Sequence, residues 1–133
     1  MYNTVDHGST VEIDVEDVDQ EALFSETALA LSGVLTEARG GTAVTHDVAI
    51  TAPDLEGLLV AWVNELIGLA DRDGFIAERS YKERLDGGGF RAKVAGEKGI
   101  PGAEIRSVRC RSIGVRRLPD AAWSVRIHLD CEG

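Results

Sequence analysis

At 133 residues, with 44% hydrophobic residues and a formal charge of −9, the chain is long enough for one core and not two, so residues 1–133 are expected to form a single domain. The acidic balance repels phosphate backbones, which argues against direct, sequence-specific nucleic-acid binding. No basic-apolar-small leader opens the sequence and no run of about eighteen apolar residues could span a bilayer, so the expectation is a cytoplasmic protein without a membrane partner.

The first element in chain order is TVEIDV, Thr10 to Val15. Its Val11, Ile13 and Val15 fall on one face with the two-residue period of a half-buried strand, leaving Thr10, Glu12 and Asp14 on the other. From Asp19 to Arg39 the apolar residues recur at spacings of three and four, which predicts a helix capped by Asp17 or Asp19 and ended by Gly40-Gly41. Val44 to Thr51 alternates again as a strand. Pro53 to Gly74 carries a wide apolar stripe of Leu55, Leu58, Leu59, Trp62, Val63, Leu66, Leu69 and Ala70, the pattern of a core helix, with Pro53 in its first turn and Asp54 and Glu56 at the positive end of its dipole.

The second half reads as a strand meander: Phe75 to Leu85, Phe90 to Ala95 across a DGGG turn, Glu104 to Arg117, and Trp123 to Cys131. Two helices in the first half and a meander in the second predict an α+β two-layer sandwich, with the helices on one face of a mixed β-sheet. Charge divides the same way. Met1 to Asp71 hold 14 acids and one base, whereas Arg72 to Gly133 hold 9 acids and 13 bases. An acidic first half suits a basic protein partner or a hard cation, and also fits a plain solvated surface.

Local motifs for catalysis are absent. His7, His46 and His128 are not spaced as a metal motif, and no nucleophile elbow is present. Asp71 to Gly74, DRDG, lacks the rest of a calcium loop and reads as a helix-terminating turn. Cys110 and Cys131 have no CxxC spacing and read as packed thiols. Asn64 and Glu65 read as satisfied polar positions on the second helix. Arg106, Arg109, Arg111, Arg116 and Arg117 form one dense basic cluster, able to grip a phosphate or an acidic partner or to pair with the first half's own carboxylates. If the strand at Thr10 and the last strand are neighbours, His7, Ser9, Thr10 and Glu12 approach His128 and Asp130, and close carboxylates and carbonyl oxygens there can hold calcium, magnesium or manganese.

The same stretches resemble the archease family, small acidic proteins that activate the GTP-dependent RtcB-type RNA-splicing ligase. The resemblance is carried by VDHGSTVEI (Val5 to Ile13), DQEALFSETALALSGVL (Asp19 to Leu35), DLEGLLVAWVNELIGLADRDG (Asp54 to Gly74) and the closing Leu129-Asp130-Cys131. It implies the same α+β fold and a protein cofactor rather than an enzyme, one that promotes guanylylation and multiple turnover of a tRNA ligase. It also implies a divalent-metal site built from the side chains at Thr10 and Asp130 and the backbone carbonyl of Cys131.

Four positions depart from the family. Thr10 stands where the family has aspartate, Ala61 replaces an aspartate of the second helix, and Cys110-Arg111 replace a Tyr-His pair. Thr10 weakens the implied metal site. Glu12, roughly 6 to 7 Å along the same strand face, is the candidate substitute ligand. The alternatives are a binding or chaperone-like module that has lost the ligase-activating metal site, or a small metal enzyme built on Asp130 and Glu12.

Overall fold

The computed structural model describes residues 1–102 and 104–132. Its elements run β1 (Tyr2–Asp6), β2 (Thr10–Asp17), α1 (Gln20–Leu35), β3 (Thr42–Thr51), α2 (Leu55–Asp73), β4 (Phe75–Asp86), β5 (Gly89–Lys98), β6 (Ser107–Arg117) and β7 (Trp123–Glu132). The α+β sandwich with two helices is as the sequence predicts. The expected mixed sheet is instead two antiparallel sheets, one of four strands ordered β1-β2-β7-β6 and one of three ordered β3-β5-β4. Hairpin-length connections such as Asp86 to Gly89 can join only antiparallel neighbours, which is why the meander forms no parallel pair.

The helices join the sheets, since α1 packs on β2 and β4 while α2 packs on β6, β4 and β3. Contact on two sides explains why α1 is buried over most of its circumference, including Ala30, Ser32 and Thr27 as well as Leu23, Phe24, Leu31 and Leu35. Asp19 caps it by accepting from the Glu21 N–H at 3.0 Å, and Asp17 in turn accepts from Asp19. The helix stops at Leu35, four residues short of the expected Arg39, because Thr36 turns extended. In α2, Asp54 rather than Pro53 begins the helix, its carboxylate accepting from Gly57 at 2.7 Å. Gly74, at φ +66°, closes the helix in the left-handed conformation, so DRDG is the terminating turn predicted.

Three aromatic rings lock these layers together. Phe24 of α1 stacks on Phe90 of β5 with centroids 3.8 Å apart, and Trp62 of α2 meets both edge-on, at 5.9 and 5.3 Å. The Trp62 indole N–H donates to the Phe24 carbonyl at 2.9 Å, so its one polar atom is satisfied inside the core.

The sequence reading contained no strand before Thr10. β1 is nevertheless formed along the outer edge of β2, and all five of its residues are exposed. A strand with no buried face leaves no alternation to detect.

Candidate functional site

The first and last strands of the sequence reading are neighbours. In the β2–β7 ladder Thr10 pairs with Asp130, Glu12 with His128 and Asp14 with Arg126. Directly paired residues share a face, and Val11, Ile13, Val15, Val125, Ile127 and Leu129 fill the other with apolar core. The polar set is therefore the outer face of the four-stranded sheet, with Thr10 and Asp130 at one end of it.

β6 lies on the far side of β7 and places Arg109 opposite Asp130. Its register then slips by one residue between Cys110 and Ser112. A bulge of this kind leaves one residue unpaired and re-aims its side chain. That residue is Arg111, whose guanidinium comes within 4.0 Å of the Asp130 carboxylate.

The neighbouring carboxylates are already engaged. Arg126 Nε lies 2.8 Å from a carboxylate oxygen of Glu12 and 2.8 Å from one of Asp14, so Glu12 is drawn toward Arg126 and away from the end of the sheet. In the turn between β1 and β2, Arg106 donates to both oxygens of Asp6, at 2.7 and 3.2 Å, and to the Gly8 carbonyl at 2.7 Å. Gly8 adopts φ +89° and returns its own N–H to Asp6 at 2.7 Å. The Arg106 hydrogen bond, aided by the Gly8 N–H, holds the Asp6 carboxyl at about 2 against a usual 3.8.

This clamp borders a cleft of about 840 Å³ lined by Asp6, Ser9, Thr36, Glu37, Arg106 and Cys131 among others. Cys131 donates its backbone N–H to the Ser9 carbonyl at 2.8 Å, tying the end of β7 to the turn. Burial pushes the Cys131 thiol up, partly opposed by Arg106, and burial alone pushes up that of Cys110.

The structure thus brings together Thr10, Asp130 and Cys131, and it places His46 and His128 in different sheets. His46 packs its ring against Phe75 at 4.5 Å in the other sheet, and His128 stands opposite Glu12. Of the basic cluster, Arg106 clamps the β1–β2 turn, Arg111 approaches Asp130, and Arg117 stacks over Trp123 at 4.5 Å. Neither the Arg106 clamp nor the Arg111 approach was specified by the sequence reading. The second had a visible signal, because the inward positions run Val108, Cys110 and then Ile113, Val115, a break of one residue in the alternation.

The sequence profile of the Archease protein family matches residues 2–131. This chain belongs to that family. Proteins named archease share its sequence over most of their length: that of Pyrococcus furiosus is 29% identical over 116 residues, covering 80% of this chain and 82% of the relative. That of Methanosarcina barkeri is 26% identical over 142 residues, covering 98% and 95%. Among solved structures, a protein of Methanobacterium thermoautotrophicum superposes with a TM-score of 0.73 at 24% identity over 97% of each chain. An archease of Thermotoga maritima, described as a possible chaperone, gives 0.57 at 14% identity over 100% of this chain and 98% of its own. At such identities the two structures establish the shared fold.

For an archease, the resemblance implies a divalent ion held at Thr10, Asp130 and Cys131, and the donors present do not fit one well. They amount to one carboxylate, one neutral hydroxyl and one backbone carbonyl, with Arg111 beside the carboxylate. Hard divalent cations draw affinity from ligand charge, and a nearby guanidinium opposes a second cation. Among the described residues, no three side chains of His, Cys, Asp or Glu gather to hold a metal.

Proposed function

We propose that this archease is a protein cofactor of an RtcB-type RNA ligase, promoting the ligase's guanylylation and multiple turnover in the cytoplasm, and that it performs no catalysis of its own. The observation carrying this reading is family membership over nearly the whole chain, residues 2–131. No helix among the described residues is long and apolar enough to cross a membrane.

Charge supports docking on a basic protein surface. Around the start of α1, Asp17, Asp19 and Glu21 are joined by Glu83 of β4, whose carboxyl is pushed up first by burial and then by Glu21 and Asp19. Such a concentrated negative field steers association with a positive partner and weakens with added salt. Adding this protein to an RNA ligase from the same source should raise the ligase's turnovers and its guanylylated fraction. An unchanged ligase would remove the reading.

Thr10 favours a second reading, a chaperone-like module that keeps the fold without the ligase role. It is the outcome indicated if this protein binds the ligase yet leaves its turnover unchanged.

A further inference from the structure

We infer that the Arg111 guanidinium stands where a divalent cation would otherwise neutralise Asp130, so that this end of the sheet is organised without a metal ion. The inference deepens the proposed function and rests on it only for where the functional end of the sheet lies. Three independent features of the structure converge on it.

The first is the ladder. Asp130 has a neutral hydroxyl across from it on one side, at Thr10, and a cation on the other, at Arg109. Neither ladder partner of Asp130 offers a second carboxylate with which to share a divalent ion.

The second is the bulge. A regular β6 would continue the alternation from Val108 and Cys110 and send the next outward side chain to the following rung. The extra residue instead keeps Arg111 beside Asp130 and lets Ile113 and Val115 resume the inward positions. The pair is accessible, with Arg111 66% and Asp130 34% exposed. Arginine therefore reaches the carboxylate without the cost of burying either charge.

The third is the state of the other acids. Glu12 is bound by Arg126 and Asp6 by Arg106. Glu12 on the strand face of Thr10 and Asp6 in the adjoining turn are thus both held by guanidinium partners. Arginine suits this substitution because it stays charged throughout the working pH range and presents several N–H donors to carboxylate oxygens.

The test uses the purified protein alone, so it can fail without touching the ligase reading, and the ligase assay can fail without touching this one. Calcium and manganese are titrated calorimetrically into the wild type, Thr10→Asp, Thr10→Asp/Arg111→Ala and Thr10→Asp/Arg111→Lys, with circular dichroism confirming that each is folded. The wild type should give no saturable heat, and chloride salts of either metal should leave its melting temperature where a chelator leaves it. Restoring the carboxylate and removing the guanidinium together should create a calcium site about tenfold or more tighter than Thr10→Asp alone, following the gain in local negative charge. The lysine version, which keeps the cation, should bind no better than Thr10→Asp. Saturable calcium binding by the wild type that Asp130→Asn abolishes would overturn the inference. So would equal affinities for Thr10→Asp and Thr10→Asp/Arg111→Ala.

Discussion

Thr10 and Asp130, separated by almost the whole chain, are direct partners in the β2–β7 ladder. Their shared outward face rests on a continuous apolar layer of Val11, Ile13, Ile127 and Leu129, all fully buried. Moving either strand by one residue would send this layer to solvent, so core burial fixes the pairing that brings the two side chains together.

The Arg106 clamp gives the turn beside this pair a pH dependence. The Asp6 carboxyl is depressed to about 2 from 3.8, chiefly by its hydrogen bond from Arg106. A depressed carboxylate contributes stability that is fully present above its unfolded value and is lost as pH falls through its folded one. The turn should therefore loosen between about pH 4 and pH 2. In Arg106→Ala, a carboxyl-carbon NMR titration should show Asp6 back toward the ordinary aspartate range. An unchanged Asp6 midpoint would show that Gly8 alone holds the carboxylate.

Trp62 tests the aromatic lock. Trp62→Ala removes a fully buried ring packed on Phe24 and Phe90 and should lower unfolding free energy by about 3 to 5 kcal/mol. Trp62→Phe keeps most of the packing but leaves the Phe24 carbonyl without the indole donor, at a cost of about 1 to 3 kcal/mol. Urea unfolding followed by circular dichroism measures both; a Trp62→Phe loss near zero would show that the hydrogen bond adds nothing to the ring's packing.

Gly96 marks a place where β5 and β4 approach too closely for a side chain. A Cβ there would overlap the Ile76 carbonyl, a backbone atom that cannot rotate away. Gly96→Ala should destabilise the protein by about 1 to 3 kcal/mol through forced separation of the strands. Gly114, on the outer face of β6, has open space around the same added atom. Gly114→Ala should leave the urea midpoint nearly unchanged, and the contrast between the two is the check.

Periodicity carried most of the fold into view. The stripe at Leu58, Leu59, Trp62, Val63 and Leu66 defined α2, and the alternation at Val11, Ile13 and Val15 defined β2, because each set packs against one continuous core. β1 escaped because Tyr2 to Asp6 bury no face. The division of seven strands into two sheets escaped because alternation reports which face is buried and not which strand lies alongside. The candidate site was half legible. Asp130 and Thr10 stood out as positions, while the role of Arg111 depends on a bulge whose trace is a single break between Cys110 and Ile113. The Asp6–Arg106 clamp joins residues 100 apart in sequence, and no spacing encodes such a pair.

The central claim, that this archease serves a ligase as a protein cofactor, is tested most directly by counting turnovers. An RNA ligase from the same source, held limiting against excess RNA ends with GTP present, should stall after few turnovers alone. It should continue through many when this protein is added, with a matching rise in guanylylated ligase. An unchanged number of products per ligase across a range of added protein would contradict the account.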